Sequence, residues 1–374
     1  MLPRFHGRSH GVTAPRRKPH DSNSGDFMKK LRRSAIAACA LSTSAAFAQS
    51  SVTLYGRLDA SINSLHFSGP NRASVRTVSS DSSHWGMRGT EDLGAGLRAL
   101  FKMESQFQVD SGAQGNKEFY FNRDSYAGLQ SDRFGTLTLG SHLTPHVRLT
   151  FKVSPFERAQ LGNVVALFQG GPRGYQVVQN NSAAYTSPRW RGFMLRAMLG
   201  LSEGAALSKT RSLGLEYEAG PWWLGMTHDA LKVSAASVGL PATQPSLWSR
   251  TTVLGASYDF KVVRIMAYYQ TNHAQRLTDI DGWMVGAVAP VATGEVRMGY
   301  SRNNITATTR ATQLTLGYSH FLSKRTLLYT NVSKIWNDGS RIVFLPARQD
   351  IGASGFPIAG QDVRGFQIGM RHLF

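Results

Sequence analysis

Val363-Arg364-Gly365-Phe366-Gln367-Ile368-Gly369-Met370-Arg371-His372-Leu373-Phe374 ends the chain, and its reading decides the fold. With a period of two, Phe366, Ile368, Met370 and Phe374 share one face, while Gln367, Gly369 and Arg371 share the other. Such a strand has one apolar and one polar side. It also finishes on an aromatic residue, unlike the frayed, polar terminus usual in a soluble domain. In a closed barrel crossing a membrane, the apolar side faces lipid, and a terminal Phe at the strand foot joins the interfacial aromatic girdle. The stretch therefore predicts a closing strand, paired with the first strand of the mature chain.

The same alternation recurs upstream. Val52, Leu54, Leu58, Ala60 and Ile62 alternate with Thr53, Tyr55, Arg57, Asp59 and Ser61. Leu97, Ala99, Phe101 and Met103 alternate with Arg98, Lys102 and Glu104, and Val296, Met298 and Tyr300 with Glu295, Arg297 and Ser301. Helical periodicity is scarce, and there is no run of about 18 apolar residues that would span a bilayer as a helix. Seven tight turns separate strand pairs: residues 91–94, 132–135, 187–190, 218–221, 259–261, 292–294 and 322–325. With a closing pair formed by the two ends, they predict 16 strands in an all-β, antiparallel transmembrane barrel wide enough for an aqueous lumen. The alternate connections, such as 231–247 and 337–360, are longer and polar, as extracellular loops are.

One connection, residues 145–178, is too long for a simple loop. Phe151, Val153, Phe156, Leu161, Val164, Val165, Leu167 and Phe168 give it an apolar surface that must be covered, and the inner barrel wall is the available partner. The third loop is therefore expected to fold into the lumen.

The formal charge of +19 invites a nucleic-acid reading, but nine of the 42 Lys and Arg lie in residues 1–48. The others are scattered, without a basic helix or zinc motif, so no nucleic-acid partner is expected. Met28-Lys29-Lys30-Leu31-Arg32-Arg33, a short apolar run to Ala45 and Ala46-Phe47-Ala48 have the form of a Sec-type signal peptide over 28–48. Ile36-Ala37-Ala38-Cys39 also fits a lipoprotein cleavage box, though almost no apolar run precedes it. Residues 1–27 have the composition of a disordered stretch or of a start assigned too early, and 49–374 form the barrel. Cys39, the single cysteine, lies in the segment to be removed.

Taken in order, several motifs resemble the general trimeric porins of Gram-negative bacteria, of the beta-proteobacterial type. They are Ser51-Val52-Thr53-Leu54-Tyr55-Gly56, Arg88-Gly89-Thr90-Glu91-Asp92-Leu93-Gly94, Phe134-Gly135-Thr136-Leu137-Thr138-Leu139-Gly140, Leu322-Ser323-Lys324-Arg325-Thr326 and the terminal Gly369-Met370-Arg371-His372-Leu373-Phe374. The resemblance covers about 51–374. It implies a homotrimer in outer-membrane lipid and passive diffusion of small hydrophilic solutes and ions, with no cofactor. It also implies a third loop that constricts the lumen, and a terminal Phe374 read by the barrel-assembly machinery. In that family a wall ladder of arginines faces acids on the third loop; Arg123 matches a wall arginine and Glu157 the loop acid. This chain departs from the pattern at His84 and at Val178 to Asn180, where the family carries arginine.

The expected constriction thus comprises Arg123, Glu157, His84, Arg57, Asp59, Arg98, Lys102 and Glu104. Inward basic residues outnumber inward acids, which predicts weak anion preference, although any one lumen charge could simply be a solvated wall residue. A substrate-selective channel remains open, because the long third loop and altered ladder could shape a specific filter. From another class, a barrel enzyme or an adhesin would use the long loops. His142, His146, His228, His273, His320 and His372 show no paired catalytic or metal motif, so no catalytic or metal role is expected. Finally, Asp81, Ser83, Ser105, Asn122 and Asp124 fall on the lipid-facing parity. Either a subunit interface hides them or a bulge shifts the parity.

Overall fold

Strand alternation with lipid outside and water inside leaves no free sheet edge, and the chain satisfies this by joining its ends. The computed structural model describes residues 51–69, 74–168, 175–201, 209–304, 309–339, 343 and 359–374. The expected leader, the residues before it, part of the third loop and most of 337–360 lie outside the described residues. β1 (Ser51–Phe67) pairs antiparallel with β17 (Val363–Leu373), Arg57 opposite Leu373 and Phe67 opposite Val363. On its other side β1 meets β2 (Ser74–Ser80) with its second half and β3 (His84–Gly94) with its first. The sheet has 17 segments, but β2 and β3 are two halves of one interrupted strand, so the wall has 16 positions, as expected.

The wall continues through β4 (Leu97–Gln106), β5 (Ser125–Ser131), β6 (Gly135–Leu143), β7 (Val178–Thr186), β8 (Phe193–Gly200), β9 (Thr210–Ala219) and β10 (Trp222–Val233). It is completed by β11 (Leu247–Asp259), β12 (Arg264–Ala274), β13 (Ile280–Val291), β14 (Gly294–Asn304), β15 (Arg310–Phe321) and β16 (Thr326–Asp338). All seven predicted turns join neighbouring strands. No helix among the described residues is long and apolar enough to cross a membrane; the crossing elements are strands.

The alternation shows directly in exposure. Val52, Leu54, Ile62, Phe366, Ile368 and Met370 are exposed, whereas Asp59, Ser61, Asn63 and Gln367 between them are buried against the interior. Beside the short turns, Trp222, Tyr258 and Phe260 form a chain of ring contacts at 4.5 and 4.4 Å, and Phe193 meets Tyr217 at 4.7 Å. Trp190 and Phe134 are exposed there as well, completing an aromatic girdle on the turn side.

The third loop lies inside the barrel. Its helix α1 (Pro145–Val153) is capped by Thr144, whose hydroxyl accepts from the Val147 N–H. Leu149 and Val153, then Leu161, Val164, Leu167 and Phe168, join one buried cluster with Trp223, Val253, Tyr268 and Met284 of the inner wall. The seat is lined with glycine. A β-carbon on Gly282 would come within 2.3 Å of Phe168, and one on Gly286 within 2.2 Å of Pro155. The apolar face that the sequence left uncovered thus meets a wall shaped to receive it.

Five polar positions do not face lipid, which corrects the parity expectation. Ser82, with φ 63°, breaks the strand between β2 and β3. The break shifts the alternation, so Asp81 turns inward and accepts from Gln367 Nε2 at 2.7 Å, and Ser83 Oγ bonds the Asp59 backbone. Asn122 and Asp124 precede the first ladder residue of β5, where strand parity does not apply. Asn122 Oδ1 accepts from the Gln106 N–H, and Asp124 takes Lys102 and Arg148. Ser105 alone keeps its outward parity, and its hydroxyl donates to the Tyr120 carbonyl of the covering β4–β5 connection. These residues therefore give no support to a subunit interface.

Candidate pore constriction

The tip of the third loop carries Glu157 to the far wall. Glu157, Arg158 and Gln160 have φ 52°, 56° and 61°, left-handed values uncommon for residues with a β-carbon. Held there, Glu157 Oε2 accepts from Arg371 Nη1 at 2.6 Å and lies 3.8 Å from Arg57, while Oε1 accepts from Arg297 Nη2 at 3.3 Å. Burial raises the Glu157 pKa, but the guanidinium groups of Arg371, Arg297 and Arg57 outweigh it and bring the pKa down from 4.5 to about 2.

The wall on either side of this knot is charged in compensating pairs. Arg57 Nη2 donates to Asp59 Oδ2 at 2.7 Å, and Tyr329 OH donates to the other Asp59 oxygen at 2.6 Å. Arg297 also pairs with Glu295 beside it on the same face. On β4 and the β4–β5 connection, Lys102 bridges Glu104 and Asp124, each at 3.0 Å, and Arg123 stands 3.7 Å from Glu104. Tyr55 OH donates to Glu104 Oε1 at 2.8 Å, and Arg148 of α1 reaches Asp124 at 2.8 Å. His84 faces Arg57 across the β1–β3 ladder, with Nδ1 2.8 Å from the Ser82 carbonyl.

The structure therefore brings together Arg57, Asp59 and Glu157 in one group and Lys102, Glu104 and Arg123 in another, with His84 beside the first. Arg98 does not join either. It pairs with Asp132 of the β5–β6 turn at 2.8 Å, at the turn-side rim. Arg371, Arg297, Asp124 and Arg148 complete the groups and were missing from the expected set. Strand parity already placed Arg297 and Arg371 inward; only the position of the loop tip makes them partners of Glu157.

The loop backbone is also held by wall side chains. The Gln160 N–H donates to Asp81 Oδ1 at 3.2 Å, and the Leu161 N–H donates to Gln367 Oε1 at 3.1 Å. Gln313 Nε2 donates to the Leu161 carbonyl at 2.7 Å, and Gln270 Nε2 to the Phe168 carbonyl at 3.1 Å. His146, whose partner the sequence did not reveal, has Nδ1 3.4 Å from Asp229 Oδ2. The pair is buried under α1, and the His146 ring stacks on Tyr175 at 3.6 Å. It fastens the loop and is out of reach of a solute.

A family model described as Gram-negative porin matches residues 35–340. Outer membrane porin protein 32 of Delftia acidovorans is 33% identical over 366 residues, covering 92% of this chain and 100% of the relative. An outer membrane porin of Bordetella pertussis is 30% identical, covering 70% of this chain and 73% of its own. Among solved structures, an anion-selective porin from Comamonas acidovorans superposes with a TM-score of 0.77 at 28% identity, covering 87% of this chain and 100% of its own.

Proposed function

The chain belongs to the Gram-negative porin family of outer-membrane channels, and from that premise we propose that it passes small hydrophilic solutes and ions down their own gradients with a preference for anions. The relatives it matches are porins, channels rather than enzymes. The observation that carries the reading is the third loop seated inside a closed barrel, with Glu157 neutralised by Arg371, Arg297 and Arg57. A loop carboxylate tied up in this way cannot set a cation-attracting field across the lumen. The anion selectivity of the Comamonas porin that superposes on this chain supports the same preference. In this reading Arg57, Asp59, His84, Lys102, Glu104, Arg123 and Glu157 border the narrowest part of the path. We further propose that residues 28–48 direct export, that Phe374 is presented to the assembly machinery, and that three copies associate in the membrane.

The test is the reversal potential of purified mature protein in a planar bilayer under a KCl gradient. Large conductance steps grouped in threes, with a potential favouring chloride, are expected. A cation preference would remove the selectivity claim, and an absence of conductance would remove the open-channel claim.

A further inference from the structure

The inward basic residues suggested by parity are almost all spent on partners. Arg57, Arg297 and Arg371 face Asp59, Glu295 and Glu157. Lys102 and Arg123 share Glu104, Lys102 and Arg148 share Asp124, and Arg196 pairs with Glu216 at 2.9 Å. A cation paired at this range presents little net field to a passing ion, because the partner's opposite potential nearly cancels it. Arg88, in the middle of β3, is the exception: its guanidinium lies over the neutral Tyr55 ring at 5.0 Å, a contact that leaves its charge in place.

Two cations near the loop tip are different. On α1 Pro145, His146, Val147, Leu149, Thr150 and Val153 are buried, which leaves on the remaining side Arg148, half-buried against Asp124, and four residues on Lys152, exposed. Lys152 is exposed and pairs with no carboxylate among the described residues. It sits in the last turn of α1, where a positive charge is favourable without needing a counter-ion. Among the described residues Arg158 donates only to neutral groups, Nη1 to Thr150 Oγ1 at 2.5 Å and Nη2 to Tyr175 OH at 3.0 Å. Its guanidinium also lies 5.6 Å from the Phe151 ring and 5.5 Å from the Tyr175 ring. These contacts fix its position without cancelling its charge. The third loop, from Pro145 to Val178, contains one acid, Glu157, and that acid is already held by the wall.

We propose that the third loop, through Lys152 and Arg158, supplies the uncompensated positive field that makes the channel favour anions, and that the arginine-bearing wall is close to neutral. The inference rests on the channel reading above and assigns its selectivity to two residues. The solutes favoured are small inorganic anions and carboxylates, drawn by charge and not by a shaped site.

The experiment compares chloride-to-potassium permeability ratios in planar bilayers for the full mature protein and for Lys152→Gln, Arg158→Gln and the double variant. A unit charge some 6–7 Å from the ion path changes the occupancy of each ion by about threefold in water, down for chloride and up for potassium when a positive charge is removed, so each single change is expected to lower the ratio up to about ninefold and the double change more. Single-channel conductance should stay near that of the parent. Arg158→Lys, which keeps the charge, should retain most of the ratio and so separates charge from loop support. Arg196→Gln with Glu216→Gln removes one paired charge of each sign and should leave the ratio alone. The proposal is overturned if the double variant keeps the parent ratio, or if the paired control shifts it as much. A parent protein without chloride preference would defeat the broader selectivity reading, yet a drop in the double variant towards potassium would still uphold the role of the loop.

Discussion

Glu157 shows how much one side chain can do once it is held away from its ordinary conformation. Its left-handed backbone aims the carboxylate at three arginines, and their charge holds its pKa at about 2. A carboxylate with a depressed folded-state pKa contributes stability that is complete above its unfolded value of 4.5 and is lost as the pH falls through about 2. The gap in unfolding midpoint between the parent and Glu157→Gln should therefore stay constant from neutral pH down to 4.5 and shrink between 4.5 and about 2. A gap unchanged at the acid end would show that the guanidinium contacts do not act through charge. Gly56 is a second decisive residue. It exchanges backbone hydrogen bonds of 3.1 Å with Phe374, and a β-carbon on it would lie 2.3 Å from the Phe374 ring and 2.8 Å from the His84 carbonyl. Since that carbonyl is backbone and cannot swing aside, Gly56→Ala should lower the yield of folded barrel, read as the fraction running as a compact band in unheated detergent gels.

At the scale of the element, the third loop behaves as a part bolted to the wall. Gln367 holds two of its bolts, accepting from the Leu161 N–H and donating to Asp81, which in turn accepts from the Gln160 N–H. Gln367→Leu leaves a buried N–H and a carboxylate oxygen without that partner, at a cost of about 1–3 kcal/mol. The expected result is a lower unfolding midpoint and more frequent closures in single-channel records. A variant as quiet as the parent would mean that the apolar seat alone holds the loop. The interruption at residues 81–83 belongs to the same device, because it turns Asp81 inward to meet the loop. Nothing in a period-two pattern announces such a break. Only the unfavourable outward placement of an aspartate hinted at it.

For the molecule as a whole, closure is the condition of stability in lipid. The ladder between β1 and β17 satisfies backbone groups that would otherwise be exposed to hydrocarbon, each at several kcal/mol. Deleting residues 370–374 removes the partners of Gly56 to Ala60 at the foot of that ladder. The truncated chain should fail to give a protease-resistant barrel, whereas the full chain resists digestion; a resistant truncated product would show that the upper ladder suffices. The sequence by itself determined the strand count, the turns, the lipid-facing set, the closing role of the last strand and the need of the long connection for an inner wall. Each of these follows from local alternation, turn chemistry or composition, which the membrane makes strict because one face must be apolar and every backbone group paired. Only the tertiary structure decided which charges meet. Arg98 fell to the rim, Arg371 and Arg297 reached Glu157 across the lumen, and Lys152 and Arg158 were left without counter-charges among the described residues. The reason is that a charge's effect depends on its neighbours within a few ångströms, and those neighbours come from strands and loops far apart in the chain.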